Sequence, residues 1–262
     1  MEKGNRIFKL IKAPPKGHEE ILFYRTFVRI QDPSTDPEIK SNRCISSDSL
    51  SQYHTSTDST NLLDKVSLSP KLLDEFQCFT SKFYGITSIN GHDYIQLDNL
   101  YSNFKNPCLA DIKMGRYNYD PQASEEKRKR RIAKFPQRLE LGYSFSGIKT
   151  AQVHLKKDFG RSLTIETISE AFERFLPSHM PDRVKVVGKF LPKLEALRRW
   201  FETQNSMQFY CSSLFMVYCR TELTVEVKMI DFAHVFYETG LKDENYLLGL
   251  NCLIRDFKKS IQ

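Results

Sequence analysis

The stretch Pro107-Cys108-Leu109-Ala110-Asp111-Ile112-Lys113-Met114-Gly115 decides the fold of this chain. It is typical of a buried strand, yet it carries a carboxylate and an ammonium two positions apart. Residues i and i+2 of a strand lie on one face. We therefore expect Asp111 and Lys113 to point into one space, where a carboxylate can accept a hydroxyl proton and an ammonium can hold phosphate charge. A structural ion pair at the strand end is the alternative interpretation.

The composition excludes several classes of protein. The chain has 262 residues, a formal net charge of +7, 40% apolar residues and 12% aromatic residues. It can therefore bury a core, and disorder, collagen and small disulfide scaffolds are excluded. The apolar runs are strand-length and fall short of the roughly 20 residues that a membrane span requires, so no transmembrane helix is predicted.

Cysteine and histidine spacing bears on compartment and metals. The six cysteines are dispersed without a Cys-x-x-Cys pair, and the six histidines show no metal-binding pattern. We expect free thiols in a reducing interior, either the cytoplasm or the nucleus, and no structural zinc.

The first hundred residues predict a small lobe. Residues 6–12 alternate as a strand, a Pro-Pro turn follows, and residues 19–28 suit a helix. Ten of the twenty residues in 41–60 are Ser or Thr, which predicts a mobile insertion at about 32–68. From Ser69-Pro70 onward, apolar residues recur at helical spacing as far as Phe83. Residues 94–97 suit a strand.

Beyond residue 100 the pattern predicts a larger lobe. Helices are expected at 124–135, 165–176, 190–201 and 245–258, and strands at 108–114, 142–151, 209–219 and 223–230. The fold class is therefore α+β in two lobes. We predict an N-lobe at 1–100 and a C-lobe at 101–262 that includes a basic helix at 124–138.

The basic helix is the second feature with chemical meaning. Ser124 suits an N-cap, and seven cations follow Glu126 with no acid among them. Four of these recur at helical spacing on one face, which concentrates positive potential there: Lys127, Arg130, Arg131 and Lys134. Nucleic acid, acidic lipid and a small polyphosphate are all possible partners of such a face, and the run also suits a nuclear localisation signal.

The third feature is a carboxylate at a strand end, in Met229-Ile230-Asp231-Phe232-Ala233-His234. Asp231 is well placed to hold Mg²⁺ that bridges nucleotide phosphates, because Mg²⁺ takes one or two carboxylates and fills its other positions with water and substrate. An Asp that caps the next turn is the alternative interpretation.

In order and spacing, these features resemble the inositol polyphosphate kinase family. The family signature Pro-x-x-x-Asp-x-Lys-x-Gly is matched at 107–115, and its Ile-Asp-Phe-Ala-His element is intact at 230–234. Its Ser-Ser-Leu-Leu element is present as Ser-Ser-Leu-Phe at 212–215, and its closing Gly-Leu-x-x-Leu-Ile at 249–254. The resemblance implies a two-lobed fold like that of protein kinases and ATP-grasp enzymes.

The resemblance also implies a nucleotide site for ATP and Mg²⁺. Lys9 would hold the ATP phosphates and Glu20 would orient it, with Lys12 as a rival for the role of Lys9. Backbone groups of Asp98 and Leu100 would meet the adenine edge. The remaining roles are implied as follows: Asp111 contacts ribose and the reacting hydroxyl, Lys113 contacts the transferring phosphoryl group and the substrate, and Asp231 binds the metal.

For the substrate, the resemblance implies soluble inositol polyphosphates held by Lys127, Arg130, Arg131, Lys134 and Arg161, with His234 nearby. Less phosphorylated substrates are handled in the family with glutamines where this chain has Arg130 and Arg131. The resemblance thus favours an inositol hexakisphosphate kinase that makes an inositol pyrophosphate. An inositol polyphosphate multikinase acting on tris- to pentakisphosphates is the alternative, and the trisphosphate 3-kinase branch fits less well.

A binding protein without turnover is the competing class. Retention of Lys9, Asp111, Lys113 and Asp231 argues against it, because binding alone needs only the basic helix. Nucleic acid is not expected as a partner, since the segment from Lys127 to Lys134 has no aromatic residue on which bases could stack. We expect a monomer.

Overall fold

The computed structural model describes residues 2–29, 62, 66, 68–237 and 240–262. The mobile insertion predicted at about 32–68 lies outside the described residues, apart from 62, 66 and 68. Within the described part of the chain, no helix is both long enough and apolar enough to cross a membrane.

The N-terminal part of the chain forms a four-stranded sheet with two helices. The strands are β1 (Glu2–Lys3), β2 (Arg6–Leu10), β3 (Phe83–Ile89) and β4 (His92–Asp98), paired antiparallel in the order β1-β2-β4-β3. The helices are α1 (Lys16–Phe27) and α2 (Pro70–Gln77). Asn90 and Gly91 both have positive φ, the geometry of a tight turn that joins two twisted strands. The predicted strand, turn and helix over 6–28 are confirmed.

The predicted helix from Ser69 toward Phe83 is wrong at its C-terminal end. Helix α2 ends at Gln77 with tightened i to i−3 bonds, and Phe83 begins β3. Phe76, Phe79 and Phe83 are all buried, so they serve one core from different elements. Burial alone therefore produced the apparent helical spacing.

The second sheet has five strands with the signature strand at its centre. They are β5 (Cys108–Met114), β6 (Tyr143–Lys149), β7 (His154–Lys156), β9 (Ser213–Tyr218) and β10 (Val225–Ile230), in the order β10-β9-β5-β6-β7 and antiparallel throughout. Strand β5 has the predicted bounds, and its residues alternate between buried and half-buried. Asp111 and Lys113 lie on the half-buried face.

The remaining elements surround this sheet. They are α3 (Glu125–Ala133), α4 (Arg138–Leu141), α5 (Lys157–Ser162), α6 (Ser169–Phe175), α7 (Arg183–Thr203), α8 (Glu244–Lys259) and the paired strands β8 (Met207–Phe209) and β11 (Val235–Tyr237). Helix α6 is shorter than the predicted 165–176 because Thr164 and Thr167 exchange backbone-to-hydroxyl bonds in a turn before it. The predicted strand 209–219 is split at Cys211, which has a positive φ.

An aromatic cluster joins the two parts of the molecule. Phe23 of α1 stacks on Phe232 with ring centroids 4.1 Å apart, and Phe76 of α2 stacks on Trp200 of α7 at 4.8 Å. Phe209 contacts Phe23, Phe232 and Trp200 at 6.1–6.3 Å. Because Phe232 directly follows Asp231, this cluster fixes the end of β10 against α1.

A close backbone approach fixes helix α5 against β6. A Cβ on Gly160 would lie 1.8 Å from the carbonyl oxygen of Phe145, so only glycine permits this contact. Arg161, the next residue, is held near the face of the sheet as a result.

We expect Gly160→Ala to lower the free energy of unfolding by about 3 kcal/mol, because backbone must move to admit the methyl group. Gly188 of α7 is the matched control, since it is exposed and a Cβ there meets no atom within 4 Å. Gly188→Ala should raise that free energy by about 0.5–1 kcal/mol. Urea unfolding of both variants checks this, and equal effects would contradict the packing argument.

Candidate functional site

Lys9 is the meeting point of three separate elements. Its Nζ lies 2.6 Å from Oε1 of Glu20 on α1 and 2.5 Å from Oδ1 of Asp231 at the end of β10. Glu20 is buried, and the same oxygen accepts a bond from the Phe232 N–H at 3.2 Å. One ammonium therefore ties β2, α1 and the segment after β10 together.

The charges of this cluster support one another. Burial by itself would lower the pKa of Lys9, but the carboxylates of Glu20 and Asp231 outweigh it and raise that pKa. Burial would likewise raise the pKa of Asp231, and Lys9 reverses the effect so that it is lowered. The ammonium and the Asp231 carboxylate are consequently both charged near neutral pH. Asp231 also has a φ of 67°, a left-handed conformation that Asp tolerates better than most residues.

Lys12, the rival to Lys9, occupies a different place. Its side chain lines a cavity and has no ion pair among the described residues, whereas Lys9 holds both carboxylates. Of the two lysines, Lys9 is therefore the one that contacts the Glu20 and Asp231 carboxylates.

Asp111 and Lys113 do not form a close ion pair. The Lys113 ammonium donates to the Cys211 carbonyl at 3.2 Å, and Oδ1 of Asp111 is buried without a hydrogen-bond partner among the described residues. Burial raises the pKa of Asp111, and the neighbouring Ser213 hydroxyl and Lys113 ammonium offset only part of the effect. A raised pKa makes this carboxylate a stronger proton acceptor.

A basic cavity of about 410 Å³ adjoins these residues. Its walls contain eight Lys or Arg side chains but only two carboxylates, those of Asp111 and Asp231. Four of the eight cations belong to the predicted site: Lys113, Arg131, Lys134 and Arg161. The other four were not among the predicted substrate contacts: Lys12, Lys16, Arg138 and Lys157. Such a cavity is suited to a compact polyanion.

The basic helix predicted at 124–138 is wrong at its C-terminal end, because α3 ends at Ala133 ahead of Pro136 and a separate helix, α4, begins at Arg138. Its predicted cationic face is also divided in the structure. Ser124 caps α3 as expected, by accepting from the Lys127 N–H at 3.3 Å. Arg131 and Lys134 line the cavity, and the neighbouring Arg131 cation is the main cause of a lowered pKa at Lys134. Arg130 is exposed and is not part of the lining.

Asp120 is a site residue that the sequence did not reveal. Its Oδ2 accepts from Lys127 at 3.0 Å and lies 3.6 Å from Nδ1 of His234. Burial would raise the pKa of Asp120, but Lys127 and His234 lower it overall. Burial lowers the pKa of His234 although Asp120 acts in the opposite direction.

The residues predicted to meet the adenine edge lie at the C-terminal end of β4, an inner strand of the first sheet. The Asp98 N–H donates to the Lys82 carbonyl at 3.0 Å and the Asn99 N–H donates to the Asn5 carbonyl at 2.8 Å. The Leu100 N–H has no hydrogen-bond partner among the described residues. Of the two predicted N–H groups, that of Leu100 is therefore the one open to a planar ligand.

Taken together, the site has two chemically distinct parts. One is the Lys9, Glu20 and Asp231 cluster, which can hold phosphate oxygens and a hard divalent cation. The other is the basic cavity. Asp111 and Lys113 line it on β5, and Asp231 contributes to both parts.

Comparison with known proteins gives consistent matches. The model of the family described as inositol polyphosphate kinase matches residues 94–258. Human inositol polyphosphate multikinase is 32% identical over 191 residues, which cover 69% of this chain and 46% of that protein. Mouse inositol hexakisphosphate kinase 3 is 30% identical over 196 residues, which cover 62% of this chain and 50% of that protein. The chain thus spans about half the length of these curated relatives.

A solved structure also shares the fold. The inositol phosphate multikinase Ipk2 from S. cerevisiae, in complex with ADP and Mn²⁺, superposes with a TM-score of 0.70 at 21% identity, covering 99% of this chain and 100% of that one. The predicted kinase-like α+β fold is confirmed.

We expect Asp120→Asn to lower the pKa of His234 further, because the carboxylate that favours the imidazolium is removed. An NMR titration of the histidine ring protons measures this directly. Asp182→Asn is the control, since Asp182 pairs with Lys185 on α7 instead. An unchanged or raised pKa of His234 in Asp120→Asn would contradict the assigned contact.

Proposed function

The chain belongs to the inositol polyphosphate kinase family, and from that premise we propose that it transfers the γ-phosphoryl group of ATP to an inositol polyphosphate. The observation that carries the proposal is the cavity with eight basic side chains beside the Lys9, Glu20 and Asp231 cluster. A phosphate-rich acceptor would lie in the cavity, and the nucleotide would lie against the cluster.

The nucleotide contacts follow from this cluster. Lys9 would bind phosphate oxygens of ATP, and Glu20 would hold the ammonium in place. The Leu100 N–H and the Asp98 backbone are proposed to meet the adenine edge. The relative from S. cerevisiae was solved with ADP and Mn²⁺, which supports a nucleotide with a divalent metal.

The residues present fit Mg²⁺ held jointly with nucleotide phosphates. No group of three or more metal-binding side chains occurs among the described residues. A Mg²⁺ site shared with ATP needs only one or two carboxylates. Asp231 is the proposed ligand, and Asp111 has a buried oxygen without a partner on the same cavity wall. The metal would neutralise charge on the transferring group.

For the reaction itself, we propose direct transfer without a covalent enzyme intermediate. Asp111 accepts the proton of the attacking oxygen where the acceptor is a hydroxyl group. Lys113 stabilises the transferring phosphoryl group, and its contact with the Cys211 carbonyl holds the ammonium over the cavity. Catalysis then comes mainly from positioning and charge neutralisation.

The number of basic side chains favours a highly phosphorylated acceptor. We propose inositol hexakisphosphate as the substrate, with an inositol pyrophosphate as the product. Arg131, Lys134, Arg161 and His234 are the proposed substrate contacts that line the cavity. Lys127 would act at its rim beside Asp120, and Arg130 lies outside the lining.

An inositol polyphosphate multikinase is the second candidate. The identity of 32% to human inositol polyphosphate multikinase, over 69% of this chain, favours it. The acceptors would then be tris- to pentakisphosphates, bound in the same cavity.

We propose that the protein resides in the cytoplasm or nucleus, because its described cysteines are free thiols. Five cysteines in the described part of the chain are free, which suits a reducing compartment. The monomeric state stays a prediction.

The test is a panel assay with Mg·ATP and inositol tris-, tetrakis-, pentakis- and hexakisphosphates, with products separated by charge. Conversion of the hexakisphosphate to a more charged product supports the leading proposal. Turnover of only the smaller acceptors supports the multikinase. Binding without any turnover would overturn both and leave a binding protein.

We expect Asp231→Asn to lower turnover at least about 1,000-fold, because a neutral amide cannot hold the metal. The fold should persist, because Asn also tolerates the left-handed conformation and Lys9 would still be paired with Glu20. Turnover and thermal melting are measured on the same preparation. Residual activity within tenfold of the parent would contradict the role of Asp231.

Neighbouring arginines of α3 provide a matched pair. We expect Arg131→Glu to raise KM for the inositol phosphate by about 10–100-fold, because it places an anion in the cavity wall. Arg130→Glu makes the same charge change outside the cavity lining and should raise KM for the inositol phosphate less than about threefold. KM for ATP should change little in either variant. Equal effects of the two substitutions would argue against the cavity as the substrate site.

A further inference from the structure

Arg138 is a buried cation at the wall of the basic cavity. Only 7% of the residue is exposed, yet it is one of the side chains that line the cavity. One terminal nitrogen donates to the carbonyls of Lys113 at 3.1 Å and Gly115 at 3.3 Å, and the other donates to the Ser144 hydroxyl. The guanidinium is therefore held rigidly behind the end of β5.

No carboxylate neutralises this guanidinium among the described residues. Arg183, a partly buried arginine elsewhere in the fold, differs because it pairs with Glu173. Burial is the main cause that lowers the pKa of Arg138 to about 10, and repulsion by Arg131 and Arg161 contributes to the same shift. It remains charged at neutral pH. A buried charge without a counter-charge destabilises the protein unless a ligand of opposite charge binds beside it.

A second observation indicates a ligand at the same place. Nε of Arg131 is buried and has no hydrogen-bond partner among the described residues. Arg131, Arg138 and Arg161 all line one cavity. The protein thus gathers three guanidinium groups that repel one another and leaves donors unused, which is the arrangement that a group bearing several negative charges would relieve.

We propose that Arg138 is a specificity-determining residue, whose fixed charge favours acceptors with many phosphate groups over those with few. This inference rests on the proposed function. Arg138 acts in two ways: it adds positive potential to the cavity, and it positions the backbone at Lys113 and Gly115. The first way predicts an effect that grows with the charge of the acceptor.

A purely structural role predicts something different. If Arg138 only satisfies the carbonyls of β5, its loss should destabilise the free protein and affect every acceptor alike. The two roles are therefore separable by comparing acceptors of different charge.

The experiment compares Arg138→Met with Arg183→Met, a control arginine that pairs with Glu173 and does not line the cavity. Thermal melting is recorded for the whole chain alone, with inositol trisphosphate and with inositol hexakisphosphate. KM for the two acceptors is measured wherever turnover occurs. Arg138→Lys, which keeps the charge without the planar fork, is the second variant should Arg138→Met fold poorly.

We expect Arg138→Met to raise KM about 10-fold for the hexakisphosphate and about threefold for the trisphosphate. The rise in melting temperature caused by the hexakisphosphate should shrink in Arg138→Met, stay unchanged in Arg183→Met, and recover in part in Arg138→Lys. Equal changes for both acceptors, or an undiminished melting shift, would overturn the inference. The melting shift needs no turnover, so it tests Arg138 even if the wild-type chain proves inactive.

Discussion

The ion-pair cluster around Lys9 is the constraint on which the site depends. A single ammonium satisfies Glu20, which is buried on α1, and Asp231, which ends β10. Removal of Lys9 would leave a buried carboxylate unpaired, a costly change. The stacking of Phe23 on Phe232 acts in parallel, since it joins the same helix to the residue after Asp231. The first sheet and the second are thereby held in one geometry, with the cavity beside the cluster.

The sequence predicted best those features that depend on local pattern. Strand β5 has the predicted bounds because its alternation is set by its central place in the sheet, between β9 and β6. Ser124 was identifiable as an N-cap from its own position and the acids that follow it. The helix predicted as far as Phe83 was too long, because the spacing of the aromatic residues reflects a shared core and not one helix. Helix α6 began later than predicted because two threonine hydroxyls compete with the backbone before it.

The part of the site that the sequence did not reveal comes from tertiary packing. Lys113 contacts the carbonyl of a residue 98 positions away, and Asp120 lies beside a histidine more than a hundred positions later. No periodic pattern encodes such contacts. Lys16 and Lys157 carried no motif, and Arg138 was visible only as one cation among seven. Their shared role emerges once α1, α4 and α5 surround the end of β5.

Asp120 has a consequence for how the cavity meets its ligands. Lys127 is already bound to an internal anion, so an incoming group gains from this lysine only by competing with a carboxylate that is always present. A ligand with a single negative charge attracts Lys127 little more strongly than the Asp120 carboxylate does. A polyanion contacts several cations of the site at once, so it can bind even where it must compete with Asp120 for Lys127. Asp120 therefore reduces the binding energy that Lys127 can offer to an anion, and the reduction matters most for small monovalent anions that contact no other cation.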